Sequence, residues 1–257
     1  MVQWMGIINL TPDSFYESSR VAPSAEAFLS RARVFLEAGA SIIDVGAVST
    51  RPGASEVALE TEWERLAPAL EAFCGSGLRE QGLKLSIDTT SAEIVRRSFR
   101  LVGSFIVNDI SAGEDDPQML PAVAELGLPY VAMHKRGNPR TMDSRTDYPG
   151  GVVGELLRYF EAFGRRTEEL GIGEWILDPG LGFAKTPAQN WEILEGLQAF
   201  RRFGRPVLIG AADKRFTREV PMHIASRYPG CASGTEVAHK LAADNGADIL
   251  RVHEIPK

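Results

Sequence analysis

Phe105-Ile106-Val107-Asn108-Asp109 is a short apolar run closed by polar side chains. The same arrangement recurs upstream as Gly6-Ile7-Ile8-Asn9, Ser41-Ile42-Ile43-Asp44 and Leu85-Ser86-Ile87-Asp88. Downstream it recurs as Tyr130-Val131-Ala132-Met133-His134, Trp175-Ile176-Leu177-Asp178, Val207-Leu208-Ile209-Gly210 and Ile249-Leu250-Arg251-Val252-His253. Runs this rich in Ile and Val suit strands buried on both faces of a parallel sheet. Helical periodicity fills the intervals. Phe28, Ala32, Phe35 and Leu36 share a face, with Gly39 placed as the C′ residue. Val153, Leu156, Leu157 and Phe160 form a second stripe, and Leu194, Leu197 and Phe200 a third. Thr90-Ser91-Ala92-Glu93 and Thr186-Pro187-Ala188-Gln189 have capping-box spacing, and Asp116-Pro117 should open a further helix. The alternation predicts an α/β (β/α)8 TIM barrel in a single domain, residues 1–257, with its polar strand ends at the C-terminal mouth where such barrels do chemistry. Eight strands are counted against seven helices, so either the last helix is absent or one strand is miscounted. A doubly wound open sheet is the competing architecture, disfavoured because no glycine-rich dinucleotide loop follows the first strand. Gly180-Leu181-Gly182-Phe183-Ala184-Lys185-Thr186 fits neither Walker A nor dinucleotide spacing and reads as a tight strand-to-helix turn.

Composition narrows the class. The chain has 257 residues, 44% hydrophobic and 24% charged, enough to bury a large core. A net charge of -6 argues against a nucleic-acid partner but not against an anionic substrate, which needs only a few local cations. Cys74 and Cys231 imply no disulfide framework. The chain starts almost directly with a strand, leaving no room for a signal peptide, and no apolar run reaches membrane-spanning length. A cytoplasmic protein without a membrane or nucleic-acid partner is expected.

The strand ends suggest chemistry. Asn9-Leu10-Thr11-Pro12-Asp13-Ser14-Phe15 sets an amide near a carboxylate, oxygen ligands for a hard cation such as Mg²⁺. Taken alone, a Thr-Pro-Asp turn explains this stretch better. In Ser49-Thr50-Arg51-Pro52-Gly53-Ala54 an Arg beside a rigid turn could clamp an anion, or simply be solvated. Asp88, Asn108 and Asp178 end three strands, and acids in a barrel mouth are costly to desolvate unless they meet donors. A flat heterocycle with several N–H groups would satisfy them, with Met133 and Phe183 as apolar walls; pairing with Lys or Arg inside the barrel is the alternative. Arg251 and His253, two apart, share one strand face and with Asn9 could hold a pyrophosphate. His223 and His239 read as ordinary, whereas for His134 a structural bond and a functional role are equally open.

These stretches resemble the dihydropteroate synthase family. The resemblance rests on Met5 to Phe15, Ile43-Asp44-Val45-Gly46, Ser49 to Ala54, Leu85 to Asp88 and Val107-Asn108-Asp109-Ile110-Ser111. It continues through Met133-His134, Arg136 with Thr141-Met142, Asp178 to Phe183, and Arg251 to His253, in family order over nearly the whole chain. It implies condensation of 6-hydroxymethyl-7,8-dihydropterin pyrophosphate with 4-aminobenzoate, assisted by Mg²⁺, in a homodimeric, sulfonamide-targeted transferase. Residue by residue, it implies Asn9 and Asp13 toward the metal, and Asn9, Arg251 and His253 toward pyrophosphate. Pterin falls to Asp88, Asn108, Ile110, Met133, Asp178, Phe183, Gly210 and Lys214. Phe15, Thr50, Arg51, Pro52 and Arg215 fall to the aminobenzoate side. Lys214, Arg251, His253 and Asp13 are the implied catalytic groups.

The chain also departs from the family pattern. Ser-Arg-Lys after the seventh strand is replaced by Ala212-Asp213-Lys214, Glu17-Ser18-Ser19 stands for Asp-Gly-Gly, and Val48 occupies a position that is often Glu. These departures motivate a second hypothesis, a non-catalytic pterin-binding paralogue. A corrinoid-linked methyltransferase would lack both the Thr11 to Phe15 and the Ser49 to Ala54 loops, which are present.

Overall fold

The computed structural model describes residues 2–11, 24–48, 57–137 and 141–256. All eight apolar runs form strands: β1 Gln3–Asn9, β2 Ile42–Gly46, β3 Lys84–Asp88, β4 Ile106–Asp109, β5 Tyr130–Met133, β6 Trp175–Asp178, β7 Leu208–Ile209 and β8 Ile249–Val252. They pair in parallel in the order β6-β5-β4-β3-β2-β1-β8-β7. A bridge between Leu177 and Val207 brings β6 to β7 and nearly closes the barrel, which excludes the doubly wound open sheet. Around it run α1 Ala25–Glu37, α2 Leu59–Cys74, α3 Ala92–Val102, α4 Met119–Leu126, α5 Val152–Leu170, α6 Pro187–Glu195, the short α7 Met222–Ala225 and α8 Gly234–Asp244. No described helix follows β8.

Side-chain alternation along the strands divides the core in two. Met5, Ile42, Ile106, Val131, Ile176, Leu208 and Ile249 point inward and plug the barrel. Their strand neighbours, among them Ile8, Ile43, Ile87, Val107 and Leu250, point outward into a second core shared with the helices. Each such buried aliphatic contributes about 1.5–3 kcal/mol. Phe28, Ala32 and Phe35 are the buried face of α1, and Gly39 follows it at φ +94. Close approach of α1 to β1 depends on Gly6, where a Cβ would lie 2.4 Å from the Phe35 ring.

Three local expectations shift in register. Ser91, not Thr90, caps α3 by accepting from the Ile94 amide, and Glu93 pairs forward with Arg97 at 2.9 Å instead of reaching back. The strong i,i+4 partner wins Glu93 from the capping box. Asp116 accepts from the Gln118 amide, but α4 begins only at Met119, because Asp116 also accepts from the Ala92 amide and is tied to α3. The stripe Leu194, Leu197, Phe200 is split at Gly196 into α6 and a 3-10 helix, Leu197–Phe203. The Thr186 box forms in full, with Pro187 in the first turn.

Candidate active site

The inward-facing positions change character toward the C-terminal mouth. Above the aliphatic plug come Asp44, Ser86 and Arg251, and above these Asn9, Asp88, Asn108, Met133, Asp178, Gly210 and His253. A cavity of about 200 Å³ opens there, walled by these last residues with Ile7, Thr11, Val48, Ile110, Phe183, Lys214 and Arg251. The strand pairing sets the spacing: Asp88 lies opposite Asn108, and Met133 opposite Asp178. Gly46 leaves room beside Asp88, since a Cβ on it would stand 3.3 Å from the Asp88 Cβ.

The floor is ionic. Arg251 donates through Nε to Asp44 at 2.6 Å and through Nη2 to Asp88 at 2.8 Å. Asp44 also accepts from the Ser86 hydroxyl at 2.6 Å and from Asn108 Nδ2 at 2.9 Å. Three donors on one wholly buried carboxylate offset its desolvation. Among the described residues Asp88 has only Arg251 in compensation; burial, reinforced by the nearby Asp44 charge, pushes its carboxyl up to about 7. The alternative of internal pairing is therefore realised for Asp88. Asp178 is different. Its Oδ1 accepts from the Gly180 amide at 2.8 Å, and burial raises its carboxyl while Lys214 opposes that shift through the field.

Lys214 reaches the cavity from the loop after β7. Its Nζ donates to the Leu181 carbonyl and lies 4.9 Å over the Phe183 ring. Gly182 makes room, since a Cβ there would meet Lys214 Cδ at 3.2 Å. Burial pulls the ammonium down to about 8, with Asp178 working the other way.

Other expected residues lie elsewhere. Arg215 is exposed, 3.6 Å from Asp143, and does not line the cavity. Asp213, at φ +53, has its amide bonded to Thr235 Oγ1 and faces a separate hollow with Ser233 and His239. The replaced residues at 212 and 213 thus border a neighbouring space. Asp13, Phe15, Glu17, Thr50, Arg51 and Pro52 lie outside the described residues. His134 is buried and its Nδ1 is 3.1 Å from Lys185 Nζ, so the structural bond is present. His223 sits in α7 against Glu195, and His239 is buried edge-on to Trp4. Among the described residues no group of three or more His, Cys, Asp or Glu is arranged to hold a metal ion.

Sequence reasoning missed two charges. Asp44 closes an apolar run in the sequence, but nothing local shows that β2 continues two residues past it and leaves it beneath the mouth. Lys185 lies in the stretch that reads only as a tight strand-to-helix turn. Its Nζ instead donates to the carbonyls of Gly180 and Phe183, each at 2.9 Å, tying the β6 turn to the end of β5.

The family model described as "Pterin binding enzyme" matches residues 5–253. The chain is 38% identical over 253 residues to the dihydropteroate synthase of Synechocystis sp., covering 98% of this chain and 84% of that protein. Identity to the dihydropteroate synthase of Escherichia coli K12 is also 38%, covering 98% and 86%. The structure is similar to Yersinia pestis dihydropteroate synthase with a sulfonamide drug complex, at TM-score 0.82 and 32% identity, covering 99% and 89% of the two chains. It is also similar to Xanthomonas albilineans dihydropteroate synthase with 4-aminobenzoic acid, at TM-score 0.77 and 33% identity, covering 99% and 88%.

Proposed function

Because the chain belongs to the dihydropteroate synthase family of pterin-binding enzymes, we propose that it condenses 6-hydroxymethyl-7,8-dihydropterin pyrophosphate with 4-aminobenzoate, forming 7,8-dihydropteroate and pyrophosphate in folate biosynthesis. The observation that carries this reading is the hydrogen-bond polarity of the cavity. Asp88, Asn108 and Asp178 offer acceptors, Lys214 offers a donor, and Met133 and Phe183 supply apolar surface. A reduced pterin presents the complement, with several N–H groups, a ring carbonyl and two flat faces.

In the reaction the bond from the pterin methylene to the pyrophosphate oxygen breaks, and its electron pair leaves with pyrophosphate. The arylamine nitrogen bonds to the methylene and releases a proton. Pyrophosphate is assigned to the rim formed by Asn9, Arg251 and His253. Arg251 has Nε on Asp44 and Nη2 on Asp88, which leaves Nη1 unengaged by these acids and the guanidinium fixed in direction. A preorganised cation beside a departing anion lowers the barrier without reorganisation.

Mg²⁺ belongs to the same proposal. The Asn9 amide at the cavity wall is a suitable hard ligand for an ion that keeps waters and shares pyrophosphate oxygens. Asn9 and Asp13 would hold it, and it would supply neutralisation of the leaving group. Phe15, Thr50, Arg51, Pro52 and Arg215 are assigned to the arylamine side and its loops. A homodimer and a cytoplasmic location complete the reading; no described helix is long and apolar enough to cross a membrane.

The test is pyrophosphate release by the purified chain with both substrates and Mg²⁺. Release should depend on 4-aminobenzoate and fall roughly hundredfold or more in Lys214→Ala. Turnover no higher than that variant's would end the proposal.

A further inference from the structure

Asp44 has no part in the reaction as described: it is wholly buried and forms none of the cavity wall. Yet its donors are Ser86 on β3, Asn108 on β4 and Arg251 on β8, so one anion on β2 meets three other strands directly beneath the site. An ionised carboxylate only accepts. The Asn108 amide must therefore turn its NH2 toward Asp44, which presents its carbonyl oxygen to the cavity. The same carboxylate holds Arg251 Nε, and that hold directs Nη2 to Asp88.

Resting on the pterin-binding reading, we propose that Asp44 is a positioning residue that fixes the acceptor face of the pterin site and the heading of Arg251, coupling the pterin and pyrophosphate ends. Asp44 touches neither substrate and acts through Asn108 and Arg251. Asp44 Oδ2 takes both Asn108 Nδ2 and Arg251 Nε, so an amide at position 44 loses the charge that holds these two donors together. With its NH2 on that side it turns both away and lets the Asn108 amide rotate out of its acceptor role.

The experiment is a swap. Asp44→Asn, Asn108→Asp and the double variant are purified, and their binding of the pterin pyrophosphate is measured by calorimetry beside the unsubstituted protein. Each single change should weaken binding tenfold or more, the second by setting two carboxylates 2.9 Å apart. The double change restores an acceptor facing the cavity and a donor–acceptor pair beneath it, so it should bind at least fivefold tighter than either single variant. The KM for 4-aminobenzoate should hardly move in any of them, whereas a general loss of folded protein would lower kcat alone. If Asp44→Asn fails to fold, Asn108→Asp against the double variant decides the same point. A double variant no better than Asn108→Asp, or an Asp44→Asn protein that binds as tightly as the unsubstituted one, overturns the proposal. Nitrogen-15 spectra give a readout free of substrate: the Asn108 NH2 and Arg251 Nε–H protons should be protected from exchange, and lose that protection in Asp44→Asn. An unsubstituted protein that binds no pterin sinks the functional reading alone, and the protection pattern still judges the role of Asp44.

Discussion

Asp88 and Lys214 face one cavity with opposite proton requirements. Asp88 accepts on both oxygens only when ionised, and burial puts its midpoint at about 7. Lys214 is a cation only when protonated, and burial puts its midpoint at about 8. The fraction of protein with both groups in the working state rises through the first value and falls through the second. A bell-shaped pH profile of kcat/KM for the pterin substrate is expected, with limbs near 7 and 8. Asp88→Asn should remove the acidic limb while leaving the alkaline one, and an unchanged acidic limb would show that another group sets it. Asp178 and Asp213 give a second comparison, since only Asp178 borders the cavity. Asp178→Ala should weaken pterin binding far more than Asp213→Ala, and equal losses by calorimetry would mean the pocket is misplaced. At this scale the sequence was legible where a side chain ends a strand, because the polar residue interrupts an apolar run. Asp44 interrupts such a run too, but its burial and its partners escaped because they depend on donors 42, 64 and 207 positions away, a distance over which no local pattern carries information.

The turn from β6 to α6 is the element on which most of the site leans. Gly180 has φ +68, and a Cβ on it would sit 2.0 Å from the His134 carbonyl oxygen, backbone that cannot give way cheaply. Gly180→Ala should destabilise the fold by about 2–4 kcal/mol, seen as a lower denaturation midpoint with unchanged slope. Thr186→Ala, which removes only the cap of α6, should cost about 1 kcal/mol. If the two losses were equal, the close contact at Gly180 would not govern the turn. Lys185 adds a pH dependence of known sign. Burial lowers its ammonium from 10.5 to about 7, so across that window the folded state holds fewer protons than the unfolded one, and stability rises with pH. Lys185→Met should flatten this rise in a series of melting curves. The tightness of the turn could be read from paired glycines and a full capping box. The break at Gly196 could not, because the apolar stripe runs across it unbroken while the backbone changes from one helical pitch to another.

At the scale of the whole barrel, closure is uneven. β1 and β2 pair over five residues, whereas β6 and β7 meet at a bridge between Leu177 and Val207, supported by the Leu177 amide on the Pro206 carbonyl at 2.9 Å. The Leu177 amide should exchange its hydrogen at least about tenfold faster than amides in the β1–β2 pairing. Equal protection would indicate that the barrel opens only by global unfolding. Eight similar apolar runs foretold the ring, but Val207-Leu208-Ile209-Gly210 reads like its counterparts and gives no sign that only two of its residues hold strand geometry. The weak joint has a mechanical consequence. Asp178 ends β6 on one side of it, and Lys214, rooted beyond β7 on the other, already reaches across to the Leu181 carbonyl. A molecule gripped by both side chains would act as a clasp on the hoop, so that filling the cavity and tightening the barrel become one event. Saturating ligand should then raise the melting temperature and slow exchange at Leu177 more than at any amide on the opposite side of the ring.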